Sequence, residues 1–279
     1  MRAWVNGTVL DDAADPVLSV FDHGFTVGDG VFETVKTLDG QPFALTRHLE
    51  RLARSAKGLG LPDPDLGLVR EAVAALLDGP PDELGRLRIT LTGGPSPLGS
   101  ERGSGPLTLV VVAGPQALRS GPTTVVTVPW RRNDQGATAG LKTTSYAENV
   151  IALTYARERD ATEAIFANTS GYLCEGTGSN VFYVRDGRLL TPTLQSGCLA
   201  GVSRALVLEW CAEDLDGELA EVDGPIEVLE SADEIFVVST TRDVQAVDRC
   251  DRRELAAPGP VTEAVQEVWA KRAAADMDP

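Results

Sequence analysis

The segments R-L-R-I-T-L-T (86–92) and L-T-L-V-V-V-A (107–113) carry the strongest strand signals of this chain of 279 residues. Both are short runs rich in β-branched residues, which favour strands. Upstream of them, the sequence predicts four more strands and a pair of helices. The predicted strands lie at 1–10, 17–21, 31–38 and 42–45, and the predicted helices at 46–58 and 65–78. Residues 1–113 are therefore expected to form a mixed sheet with helices packed against it, as a small N-terminal α/β lobe.

Glycine and proline at both ends of G-P-Q-A-L-R-S-G-P (114–122) indicate a linker. Strands and helices alternate after it. The predicted strands lie at 123–128, 164–168, 180–184, 188–191, 234–238 and 244–247, and the predicted helices at 146–158, 202–212, 225–231 and 260–275. The sequence thus predicts an α+β protein (mixed α/β) of two lobes, in which residues 123–279 form the larger one.

The composition favours a soluble enzyme over a nucleic-acid-binding or membrane protein. A formal net charge of −16 argues against nucleic acid, because binding to backbone phosphates requires a concentrated basic face. Hydrophobic residues make up 43% of the chain. No stretch reaches the roughly 18 uninterrupted apolar residues of a membrane span. The N-terminal sequence M-R-A-W-V-N-G-T-V lacks the apolar run of a signal peptide, so a cytoplasmic location is expected.

Cysteine and histidine give little basis for a metal site. The four cysteines show no C-x-x-C spacing, and the chain has only two histidines, His23 and His48. Reduced thiols and no bound metal are therefore expected.

One of the four lysines, Lys142, opens the polar segment K-T-T-S-Y-A-E-N, 33 positions before Glu175 in E-G-T-G-S-N. A lysine can form a Schiff base with a carbonyl, and a buried carboxylate can keep a pyridinium nitrogen protonated so that the ring accepts electrons. The pair predicts an enzyme that binds pyridoxal phosphate. Taken alone, Lys142 could equally be a surface lysine, and Lys36, in an alternating strand pattern, is interpreted as facing solvent.

The phosphate of such a cofactor needs backbone N–H groups or a guanidinium as donors. The segment G-C-L-A-G-V-S-R (197–204) indicates a glycine-rich turn that enters a helix, with Ser203 in its first turn. The segment V-V-S-T-T-R-D-V (237–244) indicates a buried strand that ends in three hydroxyl residues. Arg51 is a third candidate. Each also has an ordinary interpretation, as a helix N-cap, a strand-end turn or a solvated helix arginine.

Six motifs follow one another along most of the chain. They are F-D-H-G-F-T-V-G-D-G-V-F-E-T (21–34), H-L-E-R-L (48–52), Lys142 with Asn149, E-G-T-G-S-N (175–180), A-G-V-S-R (200–204) and S-T-T-R-D-V (239–244). In this order they resemble the fold-type IV pyridoxal-phosphate enzymes, which include D-amino-acid and branched-chain aminotransferases and 4-amino-4-deoxychorismate lyase. The resemblance implies a barrel-like sheet in the larger lobe, a cofactor in the cleft between the lobes, and a homodimer.

The resemblance also implies roles for individual residues. Lys142 is the implied catalytic residue and forms the Schiff base, while Glu175 contacts the pyridine nitrogen and Asn180 orients the acidic turn. Tyr146 is implied to lie against the phenolic oxygen of the cofactor. The implied phosphate contacts are Arg51, Val202, Ser203, Thr240 and Thr241. The candidate substrate contacts are Phe32 and Arg102.

The amine of a small amino substrate is expected to displace Lys142 from the cofactor, and the freed lysine then to remove the proton from the amine-bearing carbon. We expect the lyase activity, in which 4-amino-4-deoxychorismate loses pyruvate and gives 4-aminobenzoate, a folate precursor. Against a branched-chain aminotransferase, V-G-D-G-V replaces the usual tyrosine-glycine-threonine-serine entry before Phe32. Against a D-amino-acid aminotransferase, the loop T-G-G-P-S-P-L-G-S-E-R-G (92–103) lacks a histidine, although Arg102 could bind a carboxylate.

Two alternatives stay open. The 92–103 loop also departs from the glycine-arginine-glycine form of well-known lyases, which leaves room for a class IV aminotransferase. Such an enzyme would use a D-amino acid, a branched-chain-like or an R-amine donor with a 2-oxo acid acceptor. The other alternative is a non-catalytic scaffold subunit, against which the intact Lys142 and Glu175 argue.

Overall fold

The computed structural model describes residues 1–82, 84–117, 121–215 and 217–279. The chain forms two compact units. Unit 1 contains the described residues up to 117, which include the first residues of the predicted linker, together with Leu141–Ser145 and Met277–Pro279. Unit 2 contains the other described residues. Residues 118–120 of the predicted linker lie outside the described residues, so the division into 1–113, 114–122 and 123–279 stays a prediction.

Unit 1 is built on a six-stranded antiparallel sheet. In chain order its elements are β1 (Arg2–Val5), β2 (Thr8–Val9), α1 (His23–Thr26), β3 (Gly30–Leu38), β4 (Gln41–Pro42), α2 (Leu45–Gly58), α3 (Leu66–Leu77), β5 (Leu84–Thr92) and β6 (Thr108–Pro115). The strand order is β2-β1-β6-β5-β3-β4. Val35 of β3 and Leu87 of β5 are fully buried in a core that also contains Leu49 of α2 and Val73 of α3. Burial of alternate apolar residues explains why the strand pattern is visible in the sequence.

The sequence analysis is wrong at several places in unit 1. The sheet is antiparallel and not mixed, and the predicted strand at 42–45 is replaced by the two-residue β4 and the first residue of α2. The predicted strand at 17–21 forms turns, because Phe21 N–H bonds to the hydroxyl of Ser19 (3.1 Å) and Asp22 N–H to its carbonyl (3.0 Å). Lys36 does not face solvent. It is only 3% exposed, and its Nζ lies 4.5 Å from the centroid of the Phe43 ring, which the β3–β4 turn folds back over it.

Residues near the end of the chain complete the N-terminus of α2. Ala44, which precedes the helix, is left-handed (φ 53°) and offers no capping side chain. Asp278 takes that role, since its carboxylate accepts hydrogen bonds from the N–H (2.8 Å) and the hydroxyl (2.6 Å) of Thr46. The Ala44 N–H donates to the Met277 carbonyl at 2.7 Å.

Unit 2 contains one large mixed sheet. Its strands are β7 (Thr123–Arg132), β8 (Glu163–Asn168), β9 (Leu173–Gly176), β10 (Asn180–Arg185), β11 (Arg188–Thr191), β12 (Leu219–Glu221), β13 (Glu234–Ser239), β14 (Asp243–Cys250) and β15 (Arg253–Glu254). The order is β12-β11-β10-β13-β14-β7-β8-β9, with β15 beside β14. Strands β9 and β10 touch although they are not paired, so the sheet curls in a barrel-like manner.

Four helices accompany this sheet. They are α4 (Ala147–Arg157), α5 (Val202–Asp214), α6 (Val228–Ser231) and α7 (Pro260–Ala275). Helix α4 covers β7 and β8, and α5 packs on α7 through the rings of Trp210 and Trp269, whose centroids are 5.2 Å apart. The helix predicted at 225–231 is reduced to the single turn α6. The predicted α+β class is confirmed. Among the described residues, no helix is both long and apolar enough to cross a membrane.

Candidate active site

Lys142 lies in an extended segment, Leu141–Ser145, that runs beside β3 in unit 1. Its carbonyl accepts the Phe32 N–H (3.0 Å), and its own N–H donates to the Ser55 hydroxyl of α2 (3.2 Å). The Thr144 N–H donates to the Gly30 carbonyl at 2.8 Å. Backbone hydrogen bonds therefore hold the chain on both sides of Lys142, and its side chain projects from a fixed position.

The ring of Phe32 contacts both Lys142 and a second cation, Arg88, which the sequence analysis missed. Lys142 Nζ is 4.5 Å from the ring centroid, and Arg88 Cζ is 3.3 Å from it. Arg88 lies opposite Thr34 in the pairing of β5 with β3, and cations are attracted to the faces of aromatic rings. The alternation in R-L-R-I-T-L-T could have revealed Arg88, because it places Arg86 and Arg88 on the face opposite the buried Leu87.

Arg51 belongs to a buried ion pair in unit 1. Its Nε donates to Oε1 of Glu33 (2.8 Å) and its Nη2 donates to Oε2 (2.7 Å), while His48 Nδ1 donates to the same Oε2 (2.7 Å). Burial alone would raise the pKa of Glu33, but Arg51 and His48 together lower it to about 2. Burial lowers the pKa of His48, so this imidazole is neutral at pH 7. Arg51 is therefore not a solvated helix arginine, and its contact with phosphate stays a prediction.

Arg102 ties the 92–103 loop to the rest of unit 1. Its Nε and Nη2 donate to the two carboxylate oxygens of Asp29 at 2.8 and 2.6 Å. Its Nη1 and Nη2 also donate to the carbonyls of Gly60 and Leu59, just past the end of α2. The hydrogen bonds from Arg102 lower the pKa of Asp29. Binding of a substrate carboxylate by Arg102 stays a prediction.

In unit 2, Glu175 lies within β9, one residue before the turn in which the sequence analysis placed it. Its Oε2 accepts the N–H of Leu199 at 2.9 Å. The turn itself is shaped by the buried Glu163, whose carboxylate accepts the Thr177 N–H (2.9 Å) and the Ser179 hydroxyl (2.8 Å). The orientation of Glu175 is thus set by neighbours on two other parts of the chain.

Asn180 and Gly201 fix the start of α5. The Asn180 side-chain amide donates to the Leu199 carbonyl at 2.9 Å. A Cβ on Gly201 would collide with the Asn180 side chain, so this position requires glycine. Val202 and Ser203 follow in the first turn of the helix, and both are buried. Leu199 therefore brings Glu175, Asn180 and the N–H groups that begin α5 together.

Thr240 and Thr241 form the turn between β13 and β14. Because Val238 pairs with Asn180, this turn lies at the same end of the sheet as the start of β10. Arg242 in the turn places Nη2 3.7 Å from Oε2 of Glu163, which links it to the turn after β9.

Tyr146 precedes α4 as its N-cap, and its carbonyl accepts the Val150 N–H at 3.0 Å. The predicted contact of Tyr146 with the phenolic oxygen of the cofactor stays a prediction. Within the described residues, no group of three or more histidine, cysteine or acidic side chains is arranged to hold a metal ion.

A second residue missed by the sequence analysis is Arg132, at the end of β7. Its Nε lies 3.5 Å from Oε1 of Glu175. Strand β8 runs between β7 and β9 in the sheet, so the two residues meet only when three strands are assembled. The local sequence W-R-R carries no signal for this contact.

The described residues form an α+β fold, with a lysine on a backbone-fixed segment of unit 1 and, in unit 2, a carboxylate beside the start of a helix. The family described as amino-transferase class IV matches residues 30–250. The chain belongs to this family.

Three relatives illustrate the range of activities in it. A putative branched-chain-amino-acid aminotransferase of Methanocaldococcus jannaschii is 32% identical, over 91% of this chain and 89% of its own. A D-alanine aminotransferase of Staphylococcus haemolyticus is 31% identical, over 97% of both chains. An aminodeoxychorismate lyase of Bacillus subtilis is 31% identical, over 86% of this chain and 84% of its own. Because the sequence identities to the aminotransferases and to the lyase are nearly equal, they do not show which of these activities the chain has.

Solved structures agree on the fold. A branched-chain aminotransferase of Thermoproteus uzoniensis superimposes with a TM-score of 0.88 at 30% identity, covering 97% of this chain and 94% of its own. A fold IV transaminase of Curtobacterium pusillum gives 0.82 at 31%, covering 94% and 93%. A hypothetical aminotransferase of Mycobacterium tuberculosis in a PLP-bound form gives 0.83 at 27%, covering 97% and 98%. The chain therefore has the fold of type IV pyridoxal-phosphate enzymes.

Pyridoxal phosphate is the cofactor of this family, and the residues present fit it. The first N–H groups of α5 and the hydroxyl of Ser203 in its first turn are donors of the kind that bind a phosphate. The carboxylate of Glu175 is held in place by the Leu199 N–H, as an acceptor for a protonated ring nitrogen must be.

Proposed function

We propose that this enzyme is a 4-amino-4-deoxychorismate lyase, which releases pyruvate from its substrate and yields 4-aminobenzoate for folate biosynthesis. The observation that carries the proposal is the engagement of Arg102. A D-amino-acid aminotransferase is expected to present an arginine and a histidine from the 92–103 loop to the substrate carboxylate. Here the loop has no histidine, and its arginine donates to Asp29 and to two backbone carbonyls. The Bacillus subtilis relative that is named as an aminodeoxychorismate lyase supports the same proposal.

Each site residue has a role in this proposal. Lys142 would hold the cofactor covalently until the substrate amine displaces it, and its freed Nζ would then take the proton from the amine-bearing carbon. Pyridoxal phosphate, when bound, supplies the electron sink for that step. Glu175 keeps the proton on the ring nitrogen, and Asn180 holds the 199–201 turn. The phosphate contacts are Arg51, Val202, Ser203, Thr240 and Thr241, and Tyr146 contacts the phenolic oxygen.

The substrate is proposed to lie against Phe32 and beside Arg88, whose positive charge would attract its carboxylates. Both residues are on the face of β3 and β5 toward which Lys142 Nζ points, because Nζ and Arg88 share the Phe32 ring. Loss of the enolpyruvyl group from the carbon next to the deprotonated one gives an aromatic ring. The stability of that product makes the elimination effectively irreversible.

A class IV aminotransferase is the second candidate. The names of the Methanocaldococcus jannaschii and Staphylococcus haemolyticus relatives favour it, because both are aminotransferases and both align over at least nine-tenths of this chain. The donor would be a D-amino acid, a branched-chain-like amino acid or an R-amine, with a 2-oxo acid as acceptor.

One set of assays separates these functions. The purified protein is expected to show a visible absorbance band that borohydride removes. With aminodeoxychorismate, it should release pyruvate and 4-aminobenzoate in equal amounts, and it should restore growth of a 4-aminobenzoate auxotroph. Turnover of D-alanine, an L-branched amino acid or an R-amine with 2-oxoglutarate, without 4-aminobenzoate, would refute the lyase proposal. A protein with neither band nor turnover would be a scaffold subunit.

We also propose that the enzyme is a homodimer, supported by an apolar patch on unit 1. Its exposed residues are Val17, Leu18, Val20, Phe21, Phe25, Val27 and Leu98. The two segments that carry them touch, since the Ser96 N–H donates to the Phe21 carbonyl at 3.0 Å. Contiguous exposed apolar surface of this kind usually marks an interaction site, and a second copy is the proposed occupant.

Replacing Phe25 by aspartate is expected to weaken this dimer. Phe25 is 77% exposed, so the change leaves the core of unit 1 intact but places a charge in the proposed interface. A loss of about 2 kcal/mol, or roughly 30-fold in the dimer dissociation constant, is typical for a central aromatic contact. Light scattering after size exclusion, over a dilution series, measures it. Leu194→Asp, at an exposed leucine of unit 2, is the control, and equal behaviour of the two variants would contradict the proposed interface.

A cytoplasmic location is proposed as well. All four cysteines are buried free thiols, as is usual for proteins of a reducing compartment.

A further inference from the structure

Arg132 is a largely buried arginine of unit 2 whose guanidinium uses only part of its hydrogen-bonding capacity. Its side chain is 17% exposed, and its guanidinium lies over the Phe166 ring, 4.2 Å from the centroid. Nη2 donates to Oδ1 of Asn149 at 2.6 Å, and Nη1 lies 3.6 Å from Oε2 of Glu148. Nε is buried and makes no hydrogen bond within the described residues. This arrangement fixes the plane of the guanidinium and leaves one N–H unsatisfied.

The unsatisfied N–H is beside Glu175. Arg132 Nε lies 3.5 Å from Oε1 of Glu175, while Oε2 of the same carboxylate accepts the Leu199 N–H. Glu175 therefore has a neutral donor on one oxygen and a cation near the other. A cation at this distance favours the ionised form of a carboxylate, more strongly inside a protein than in water.

The two thiols next to Glu175 in unit 2 carry no charge at neutral pH. Burial raises the pKa of Cys174 far above its usual range, and the charge of Glu175 raises it further. Burial raises the pKa of Cys198 to about 11. Glu148, on α4, faces Arg132 and is exposed, so its charge is screened by solvent. Within unit 2, Arg132 thus places a positive charge close to Glu175.

We propose that Arg132 is a positioning residue for the reaction: it keeps Glu175 ionised and correctly oriented, and Asn149 holds Arg132 in the plane that this requires. The inference rests on the proposed role of Glu175 at the ring nitrogen. A carboxylate stabilised as an anion is a weak base, so the proton that it shares with the ring nitrogen stays on the nitrogen. Without Arg132, Glu175 would compete for that proton, and the ring would accept electrons less readily.

A purely structural role for Arg132 makes a different prediction. If its function were only to pack α4 on β7 through Phe166 and Asn149, removing its charge would lower stability and leave the titration of Glu175 unchanged. The charge and the packing can be separated, because methionine retains much of the side-chain volume and lysine retains the charge.

The test is a titration of Glu175 in the full-length protein without cofactor. The side-chain carboxyl carbons of glutamate are labelled with ¹³C, and the Glu175 signal is assigned by its loss in Glu175→Gln. In Arg132→Met, the midpoint for Glu175 is expected to rise by about one pH unit or more. Arg132→Lys should restore most of the wild-type value, and Asn149→Ala should give an intermediate rise. Arg159→Met is the matched control, since Arg159 also stacks on an aromatic ring, that of Tyr155.

Two outcomes would overturn the inference. The first is an unchanged midpoint in Arg132→Met. If that variant does not fold, an unchanged midpoint in Asn149→Ala is decisive instead. The second is an equal shift in Arg132→Met and Arg132→Lys, which would indicate packing alone.

Absorbance spectra with bound pyridoxal phosphate distinguish a failure of this inference from a failure of the proposed function. If Glu175 contacts the ring nitrogen, the absorbance of the bound cofactor should acquire a new pH dependence in Arg132→Met. If the free-protein midpoint shifts but the cofactor spectrum does not respond, the coupling between Arg132 and Glu175 is upheld and the role of Glu175 fails. If the midpoint does not shift, the inference fails whatever the cofactor does.

Discussion

Substitution of Lys142 by alanine is expected to abolish turnover, with a loss of about 10³-fold or more, because the residue is both the proposed nucleophile and the proposed proton acceptor. The visible absorbance band and the borohydride-stable attachment of the cofactor should disappear together. The variant should fold, since the hydrogen bonds of this residue to Phe32 and Ser55 come from its backbone. Steady-state kinetics, an absorbance scan and mass analysis of the reduced protein measure the three effects.

Lys57→Ala is the control for this prediction. Lys57 is exposed at the end of α2, so its loss removes a lysine without touching the site. It should retain the absorbance band and full activity. Turnover in the Lys142 variant close to wild type, with the reduced cofactor found on Lys57 or another lysine, would refute the assignment of Lys142.

Glu33→Gln is expected to have the largest effect on stability. Glu33 is fully buried between Arg51 and His48, and glutamine cannot neutralise the guanidinium that remains. Breaking a buried pair in this way leaves an uncompensated charge, which typically costs about 3–5 kcal/mol. Urea denaturation at pH 7 measures the difference in the free energy of unfolding. Because unfolding of a two-unit chain need not be two-state, the transition should be followed by more than one probe.

The pH dependence of this difference has a definite sign. The pKa of Glu33 is lowered from 4.5 to about 2 in the folded protein, so its contribution to stability is present above about pH 4.5. It is lost as the pH falls from about 4.5 to 2. The gap between wild type and Glu33→Gln should therefore narrow across that window.

Glu50→Gln is the matched control, because Glu50 is an exposed carboxylate on the same helix. Its substitution should change the free energy of unfolding by less than about 0.5 kcal/mol. The predicted contribution of the ion pair to stability would be contradicted if Glu33→Gln lowered the free energy of unfolding no more than Glu50→Gln at pH 7. It would also be contradicted if the stability difference between wild type and Glu33→Gln increased as the pH falls.

Local patterns in the sequence were sufficient to predict most of the helices and strands. The strands β5 and β6 bury every second side chain along most of their length, β3 is a nearly continuous buried run, and the helices α2 and α5 follow clear turn signals. These patterns located the five elements within a few residues. The short strands β9 and β12 and the one-turn helix α6 were missed or overextended. Elements this short have too few residues for a period to show, and partners elsewhere in the sheet decide their structure.

The site residues also divide into those that local sequence can predict and those that it cannot. Lys142 and Glu175 could be proposed from sequence because few residue types suit their chemistry and because their motifs are distinctive. The environments of Lys36, Arg51 and Arg132 could not be predicted. Each depends on a side chain that only the folded chain brings near: Phe43 across a turn, Glu33 from strand to helix, and Glu175 across β8. Sequence alone does not show which charges are neutralised by such neighbours.

The hydrogen bonds from Asp278 to Thr46 connect residues 232 positions apart. During synthesis on the ribosome, α2 must therefore wait for nearly the whole chain to emerge before its first turn is closed. The strand edge occupied by Leu141–Ser145 is filled earlier, but still long after β3 has been made. The N-terminal half of a nascent chain therefore has an uncapped helix and an unpaired sheet edge. This half is the part of the chain that chaperones would be expected to bind during synthesis.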